Sequence, residues 1–493
     1  MRRNPVLGTS IALVTRRIPV LSASTALAVL LICGLLMSGG CGPAPKGNPF
    51  LIAWNYDTSG YLEPCGCSAH QLGGLARRAT RLAELRKDRS VFAIEGARNF
   101  EEGGEFRLFK SEIMVKSLNA MDYDAMMLGL QEARHGRSGM QRVVDAATFP
   151  VFSANLKADG ASWPKTVVVE EIAGTRLAVT GASEPALVDF DLPEGVGFED
   201  PLTALEKVIA GVRESADLVV VCLEGRTPWV ENLMEHFAGR VDLFLTGDMK
   251  GITLLSKTQI TERLTFQEDP PLLNNLAQGR YLGLVEVEPK RGRYAFSGKN
   301  DPLEDTLADD PEIMEIMSRD FKPQLVDYFA EFTDQLPQTH LPAKTCSDCH
   351  PDEYSVYESS GHYEAFESLK KVGQLYNPDC MGCHLAYDPE DNELETMHCV
   401  SCHGNIIWDH AFKAEADMVE MPDPPITAYT YEWCARCHDE SNSLPFREHW
   451  PQYVNQVYHG GDLSKARAAA KRMGLDMTEP PPDFASTPRM SGE

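Results

Sequence analysis

Four copies of the pentapeptide Cys-x-x-Cys-His lie in the last third of this 493-residue chain. Two thiols at this spacing form thioether bonds to the vinyl groups of one haem, and the histidine that follows binds the iron as its proximal ligand. Structural zinc also uses paired cysteines, but it does not call for a histidine after every pair. The pattern therefore predicts four covalently attached haems. The predicted thioether cysteines are Cys346, Cys349, Cys380, Cys383, Cys399, Cys402, Cys434 and Cys437, and the predicted proximal ligands are His350, His384, His403 and His438.

The segment that carries these motifs is short for four haems. From His340 to Gly460 it contains few strand-like runs and leaves little room for a conventional apolar core. We therefore expect the macrocycles to form the core of a mainly α, loop-rich domain, with the haems in close contact. A helix and then a disordered, proline-rich tail are predicted for residues 461–493.

The N-terminus has the pattern of an export signal. Four arginines within the first 17 residues precede an apolar run from Ala23 to Met37, which is too short for a conventional spanning helix. The run ends in Ser38-Gly-Gly-Cys41, which resembles a bacterial lipoprotein cleavage site except that Ser38 stands where leucine is usual. We predict a signal peptide over residues 1–41 and lipidation of Cys41, with plain cleavage or an uncleaved anchor as alternatives. Each reading places the protein in a bacterial cell envelope.

The chain is strongly acidic, with a formal charge of −26 from 46 basic and 72 acidic side chains. Such a field repels phosphate, and no basic stripe stands out, so nucleic acid is excluded as a partner. Haem propionates add further negative charge, which favours encounter with positively charged redox proteins. Acidity that serves solubility alone is the alternative.

Short β-rich runs alternate with helical stretches between Phe50 and Asn300, which argues for an α/β core with helices packed on a largely buried sheet. The predicted strands are Phe50–Trp54, Val91–Glu95, Ala125–Leu128, Thr166–Val169, Arg176–Thr180, Leu218–Leu223, Leu243–Thr246 and Leu282–Val287. The predicted helices are Leu75–Lys87, Gly139–Ala147, Leu202–Ala216 and Trp229–Phe237.

The pattern changes after residue 300. The charged stretch Asp301–Asp310 leads into a predicted helix, Pro311–Gln335, and Pro337 and Pro342 break the chain before the first haem motif. The chain is therefore divided into a signal peptide (1–41), an α/β domain (50–300), a linker with a helix (301–339), a haem domain (340–460) and a tail (461–493).

The α/β domain resembles the 5′-nucleotidase branch of the calcineurin-like metallophosphoesterases. The matching segments are Tyr61-Leu-Glu-Pro64, Gly73-Gly-Leu-Ala-Arg-Arg78, Asp124-Ala-Met-Met-Leu-Gly129, Phe152-Ser-Ala-Asn-Leu156 and Gly279-Arg-Tyr-Leu-Gly283. The resemblance implies a four-layer α/β sandwich, in which helices flank two sheets. In the family, two metal ions held by Asp, His and Asn position a hydroxide that attacks phosphorus.

Most of the family's metal ligands are missing from this chain. The corresponding segments read Asp57-Thr-Ser-Gly60 for Asp-x-His-Gly, Glu95-Gly-Ala-Arg98 for Asp-Ala-Gly-Asp, Gly129-Leu-Gln-Glu132 for Gly-Asn-His-Glu, Glu224 for a later histidine, and Gly247-Asp-Met-Lys250 for Gly-His-x-His. Arg98 thus stands at the metal-bridging aspartate, Leu130 at an Asn ligand and Gln131 at the catalytic histidine. We predict a non-catalytic domain without a dimetal centre, with a residual metal-dependent phosphoesterase as the alternative.

Three of the 13 cysteines remain outside the haem motifs, the signal and the lipid site. Cys65 and Cys67 follow the first strand and Cys222 lies near the end of a later one, on the side where the resemblance places the metal site. One disulfide with a buried thiol, a thiolate metal site and a redox disulfide are the three hypotheses. Other residues expected nearby are Asp57, His70, His135, Glu224 and Asp248.

The haem segment resembles the cytochrome c-554 type of multihaem domain. Beyond the motifs, the shared segments are Ser360-Gly-His-Tyr-Glu-Ala365, Cys402-His-Gly404 with a histidine soon after, and Tyr453 with Tyr458-His-Gly460. The resemblance implies that His362, His410 and His459 are distal ligands. His340, His398 and His449 are the other histidines available to a fourth iron.

The coordination of the fourth iron decides the function. A saturated iron only passes electrons, whereas an open one binds small molecules. We predict an electron carrier of the cell envelope, with a haem enzyme acting on a small nitrogen or sulfur compound as the alternative.

Overall fold

The computed structural model describes residues 47–64, 72–101, 104–247, 266–268, 271–275, 278–290, 293–329, 332–337, 339, 342–388, 391, 393–403, 431–438, 446, 450, 453, 454 and 457. The predicted signal peptide and tail lie outside these residues. So do several predicted site residues: Cys41, Cys65, Cys67, His70, Asp248, His340, His410, His449 and His459.

Fourteen strands and eight α-helices are described between Phe50 and Tyr328. The strands are β1 (Phe50–Asn55), β2 (Val91–Glu95), β3 (Ala125–Met127), β4 (Val151–Phe152), β5 (Leu156–Ala158), β6 (Val168–Ile172), β7 (Thr175–Ser183), β8 (Val196–Phe198), β9 (Leu218–Glu224), β10 (Leu243–Gly247), β11 (Phe266–Glu268), β12 (Pro271–Asn275), β13 (Tyr281–Lys290) and β14 (Arg293–Pro302). The helices are α1 (Leu75–Arg86), α2 (Gly104–Ala120), α3 (Leu130–Arg134), α4 (Gly136–Ala146), α5 (Pro201–Val212), α6 (Thr227–His236), α7 (Pro311–Ile316) and α8 (Leu325–Tyr328).

Two six-stranded sheets form the centre of the first domain. One has the order β14-β13-β1-β2-β3-β4 and the other the order β11-β12-β10-β9-β7-β6. Strands β1 to β4 run parallel, as do β7, β9, β10 and β12, and antiparallel strands close the edges. Parallel strands covered on both faces are apolar throughout, and every residue of β1 and β9 is buried.

Three apolar clusters separate the layers. The middle cluster lies between the sheets and joins Trp54 and Ile94 of the first sheet to Val220 and Leu245 of the second. The outer clusters pack α1, α2, α4 and α7 on the first sheet, and α5 and α6 on the second. The result is a four-layer α/β sandwich, which confirms the predicted fold class.

Several elements were not predicted, namely α2, α3, β4, β5, β8, β11, β12 and β14. The two longest of them, helix α2 and strand β14, were missed for a physical reason. Helix α2 buries residues around most of its circumference, including Lys110 and Ser117, so it lacks the one-sided apolar pattern of a surface helix. Strand β14 is a half-exposed edge strand that pairs with β13, so it shows no clear apolar alternation.

The predicted linker helix is neither continuous nor separate from the first domain. Helix α7 is followed by a π turn (Met317–Phe321), a 3-10 turn (Lys322–Gln324) and α8. Pro323 has no N–H to donate, which explains the break. Ile313, Ile316 and Phe321 belong to the same apolar cluster as α1 and α2, so this segment covers the first sheet.

The haem region is built of short pieces. It contains a 3-10 turn (Ala343–Asp348), helices α9 (Pro351–Glu358), α10 (Ala365–Lys371), α11 (Pro378–His384), α12 (Cys399–His403) and α13 (Tyr431–Cys434), and a hairpin of β15 (Leu385–Asp388) and β16 (Glu393–Thr396). A small buried apolar cluster in its described residues consists of Leu336, Leu369, Met381 and Leu385. None of the helices in the described part of the chain has the length and apolar character that a membrane crossing needs.

Candidate haem sites and a buried polar cluster

Each haem motif lies in or beside a helical turn. The first begins within the 3-10 turn Ala343–Asp348, the second ends α11, the third forms α12 and the fourth begins at the end of α13. Positions three apart in a helical turn share a face, so the two thiols of a motif point to the same side. This is the arrangement that two adjacent substituents of one macrocycle require.

The four motifs are neighbours. Cys383 Sγ lies 4.0 Å from the carbonyl oxygen of Arg436, and Cys437 Sγ lies 4.0 Å from that of Gly382, so the second and fourth motifs pack together. Cys346 of the first motif hydrogen-bonds with Cys399 of the third, which lowers the pKa of Cys346 to about 7. Burial, and then the neighbouring Cys434, raise the pKa of Cys402 to about 11. The predicted attachment points therefore form one contiguous group.

His362, a predicted distal ligand, lies beside the proximal histidine of the fourth motif. The ring centres of His362 and His438 are 5.9 Å apart, and the rings are inclined at 60°. Two imidazoles on opposite sides of one metal ion have ring centres roughly 6 Å apart, given metal–nitrogen bonds of about 2 Å. Burial, and then His362 and His384, lower the pKa of His438 to about 4, which favours the neutral imidazole that binds metal.

The donors in this region fit covalently bound haem. Paired thiols share a helical face, an imidazole follows each pair, and His362 approaches a second imidazole at a suitable separation. His398, next to Cys399, is buried with both ring nitrogens lacking a hydrogen-bond partner within the described chain. His384 Nδ1 lies 3.2 Å from the carbonyl oxygen of Ala365 and 3.2 Å from Ser368 Oγ, which orients its ring.

In the first domain, an ion pair occupies the edge of the sheet where parallel strands end. Asp57 follows β1 and Arg98 follows β2, both with left-handed backbone (φ 54° and 66°). Arg98 Nε donates to Asp57 Oδ2 at 3.3 Å, and Ser59 Oγ donates to the other oxygen. Burial raises the pKa of Asp57 and Arg98 opposes it. A fixed guanidinium thus stands where the resemblance places a metal-bridging carboxylate.

Glu224, at the end of β9, completes this cluster from the second sheet. Its Oε2 accepts from the backbone N–H of Leu130 (2.9 Å) and from Ser183 Oγ (2.6 Å), while Oε1 has no hydrogen-bond partner in the described residues. Burial, and then the charge of Glu132, raise the pKa of Glu224 to about 7. A Cβ on Gly129 would lie 2.1 Å from Glu224 Oε2, so the carboxylate requires glycine there.

Two further acidic residues of this edge are held by the protein itself. Glu132 accepts from the backbone N–H groups of Asn99 (2.8 Å) and Gly129 (3.0 Å). Glu95 accepts from Arg78 Nη1 and from Thr58 Oγ1, both at 2.8 Å. These carboxylates therefore serve as internal acceptors. Across the described residues, no group of three or more His, Cys, Asp or Glu is arranged to hold a metal ion.

The remaining predicted site residues of the first domain occupy separate positions. Cys222 is a buried free thiol in the apolar layer between the sheets, and burial raises its pKa well above the ordinary value. His135 packs edge-on against Phe100 with ring centres 5.9 Å apart, and burial lowers its pKa. Because Cys65 and Cys67 lie outside the described residues, the disulfide and metal hypotheses stay predictions.

The second haem motif contacts the first domain near the carboxyl end of β2. Asp379, which precedes Cys380, binds both Arg107 and Lys110 of α2. Both cations also bind Glu101, which comes shortly after β2; the contact from Lys110 Nζ measures 2.8 Å. The sequence analysis missed this junction, although Arg107 and Lys110 stand three apart on one helix and so share a face.

A second group of contacts extends the junction. Lys322 Nζ lies 3.2 Å from Glu63 Oε1, and Gln374 of the haem region also binds Glu63. Phe329 packs edge-on against Tyr376 and Tyr387 of the haem region, with ring centres 5.5 and 5.9 Å apart. The segment after α7 therefore contacts both parts of the chain.

Comparison with known proteins separates the chain into the same two parts. Residues 345–404 match the family model described as cytochrome c554 and c-prime. The first part is similar to the 5′-nucleotidase of Bos taurus (24% identity over 281 residues, 52% of this chain and 48% of that protein). It is also similar to the snake venom 5′-nucleotidase of Crotalus adamanteus (31% over 140 residues, 27% and 23%). The chain thus spans between about a quarter and a half of the length of these curated relatives.

Among solved structures, the 5′-nucleotidase precursor from Thermus thermophilus aligns with 19% identity and a TM-score of 0.49, over 56% of this chain and 59% of that one. The chain is a fusion of a 5′-nucleotidase-like α/β domain with a cytochrome c554-like domain, as predicted. The cytochrome family implies c-type haem.

Proposed function

We propose that this chain is an electron carrier of the bacterial cell envelope, with one covalent haem at each of its four motifs. The observation that supports this most is the contact between motifs, with Cys346 against Cys399 and Cys383 against the turn of Arg436. Attachment points that touch one another hold their macrocycles close together. Electrons then pass between neighbouring irons without a mobile intermediate.

The haem irons supply one-electron redox chemistry, and the chain's own residues position them. The thiol pairs fix each macrocycle, and His350, His384, His403 and His438 bind as proximal ligands. His362, His410 and His459 are proposed as distal ligands. Two imidazoles on one iron favour a low-spin centre that changes little in geometry between its oxidation states.

The first domain is proposed to dock the haem domain rather than to hydrolyse phosphoesters. Arg98 places a positive charge where two dications would have to bind, and Coulomb repulsion opposes them. Glu95 and Glu132 are held by internal hydrogen bonds, and the contacts of Asp379 with Arg107 and Lys110 attach the second haem motif to α2.

Export, anchoring and partners complete the proposal. The apolar run before Cys41 supports a signal peptide with lipid attachment, which places the protein on the outer side of a bacterial membrane. The charge of −26 favours encounter with positively charged redox proteins.

Two measurements on the full-length protein test this function. Intact-mass analysis is expected to show four haem increments, and fewer than four in a strain competent for cytochrome maturation contradicts the haem count. The ferrous protein is expected to bind no carbon monoxide, because an electron carrier needs no open coordination site on any of its irons. Binding of about one molecule per chain points instead to a haem enzyme with an open iron.

A nucleotide monophosphate assay with added manganese tests the first domain separately. We expect no turnover by the full-length protein. Turnover that a chelator abolishes establishes a residual phosphoesterase and contradicts the non-catalytic assignment.

A further inference from the structure

His398 lies directly before Cys399, and its side chain is 1% exposed. Neither of its ring nitrogens has a hydrogen-bond partner within the described chain. The carboxylate of Glu395 comes closest to an interaction, with Oε2 3.6 Å from His398 Nε2, which is beyond hydrogen-bond distance. Buried polar groups in native proteins are almost always paired, so an imidazole left in this state needs an explanation.

Another buried histidine shows the usual pattern. The ring of His135 in the first domain donates a hydrogen bond to the backbone carbonyl oxygen of Glu101, so only its Nε2 lacks a partner among the described residues. In His398 both nitrogens lack one, in a segment whose cysteines are built to carry haem. When an imidazole nitrogen binds a metal ion, the metal takes the place of a hydrogen-bond partner for that nitrogen.

The position of His398 favours the first haem. A Cys-x-x-Cys-His motif and its proximal histidine lie on one face of their macrocycle, so His398 would have to cross its own haem to reach the opposite face. The motif nearest to His398 is the first. Cys346 is hydrogen-bonded to Cys399, and the Glu395 carboxylate accepts a hydrogen bond from the backbone N–H of Ala343. We propose that His398 is the axial ligand opposite His350 on the haem iron of the first motif.

This inference rests on the four-haem proposal and answers the question of the fourth iron. With His362, His410 and His459 on the other three, every iron has two imidazole ligands. The chain then has no open iron, and small-molecule chemistry at haem is excluded. His398 also links the third motif to the first haem, which adds an electron path between them.

The test is His398→Ala in the full-length holoprotein, with haem content measured by intact mass. We expect four haems, of which one turns high-spin in the electron paramagnetic resonance spectrum and binds about one carbon monoxide per molecule. Added imidazole is expected to restore the low-spin spectrum. His236→Ala, on α6 of the first domain, is the control and is expected to leave all four haems low-spin. A four-haem His398→Ala protein with an unchanged spectrum overturns the inference.

Two further variants separate ligation from structural support. Glu395→Gln removes the nearby charge and is expected to leave all haems low-spin; a high-spin haem in this variant shows that the carboxylate contact, rather than ligation, fixes the site. His398→Met keeps a ligand and covers the case in which the alanine variant does not accumulate. One midpoint potential is expected to rise, because methionine ligation favours ferrous iron. Four unchanged potentials overturn the inference.

Assignment to the first haem is tested in a background that lacks it. Cys346→Ala with Cys349→Ala is expected to carry three haems by mass. Adding His398→Ala there is expected to create no high-spin haem, whereas a new one shows that His398 binds a different iron. The haem count tests the proposed function and the spin state tests the ligand, so the two failures are distinguishable.

Discussion

The two parts of this chain differ in how much apolar core the polypeptide itself supplies. The first domain packs its sheets and helices around three large apolar clusters, although several of its buried polar atoms, Glu224 Oε1 and His135 Nε2 among them, lack a hydrogen-bond partner within the described residues. In the described part of the haem region, one cluster consists of four buried apolar side chains, and neither ring nitrogen of His398 is paired within the described chain. We expect the haems to supply the apolar surface that the haem region lacks.

The largest effect is expected when haem is withheld. In a chain expressed without the maturation system, we expect the described haem-region segments 342–388, 393–403 and 431–438 to lose their protection from amide exchange, while β1, β2 and β9 keep theirs. The reason is that we expect the macrocycles to form most of the apolar core of the haem region, whereas the first domain holds three apolar clusters of its own. Equal protection of the haem region with and without haem contradicts the comparison.

Gly129→Ala is expected to destabilise the first domain and leave the haem spectrum unchanged. The new Cβ would meet Glu224 Oε2 at 2.1 Å, and that oxygen is fixed by two hydrogen bonds. Overpacking of this kind costs about 3 kcal/mol of unfolding free energy, measured by denaturant titration. Gly211→Ala on α5 is the control, because its Cβ would meet nothing within 4 Å. If the two variants are equally stable, the residues around Glu224 shift to accommodate the new Cβ, and the prediction is wrong.

The pH dependence of stability is expected to change in Glu224→Gln. The pKa of Glu224 is about 7 in the folded protein against an ordinary value of 4.5, so the folded state holds a proton that the unfolded chain releases. Its stabilising contribution is complete below pH 4.5 and is lost as the pH rises to about 7. Linkage makes this worth about 2 kcal/mol, measured as the unfolding free energy at about pH 5 and about pH 8. If the variant keeps the wild-type slope between these values, Glu224 is not the titrating group.

The smallest effect is expected at the domain junction. Lys110→Met and Asp379→Asn each remove one side of the contact between α2 and the second haem motif. Lys110 is buried, but each residue keeps a second partner, Glu101 for Lys110 and Arg107 for Asp379, so a double-mutant cycle is expected to give a coupling free energy of about 1 kcal/mol. Loss of the Lys110 charge is also expected to lower the midpoint potential of the second haem. Lys116→Met is the control. Lys116 lies on the same helix as Lys110 but pairs with Asp320, away from the haem motif, so this variant is expected to leave that potential unchanged.

The sequence predicted best what is set locally. Strand Val91–Glu95 was predicted at its observed bounds, because a run of buried residues between polar ones defines a strand of a parallel sheet. Helix α2 and strand β14 were missed, since one is buried around most of its surface and the other lies at an edge. The junction of Asp379 with Arg107 joins residues 272 positions apart, and no local pattern encodes such a contact.

The candidate site residues also fall into two groups, those that a local motif predicts and those whose contacts depend on the tertiary fold. Each Cys-x-x-Cys-His motif is only five residues long, so the sequence alone predicts which cysteines and histidines would hold haem, and this assignment stays a prediction. The pairing of Arg98 with Asp57 depends on two strand ends that meet in space, and the approach of His362 to His438 depends on the tertiary fold. The family resemblance indicated which positions correspond to metal or haem ligands, and the structure shows which residues contact them.

The packing of α7 against α1 and α2 has a consequence for how this fusion can be taken apart. A fragment that ends at residue 300 removes Ile313, Ile316 and Phe321 and leaves the apolar side chains beneath them in water. Such a fragment is expected to aggregate even though both sheets are nearly intact, whereas one that ends after Gln335 keeps the covering segment. The α/β domain is therefore expected to be stable only together with its C-terminal helical cover. A junction to a different C-terminal module is expected to be tolerated only beyond that cover.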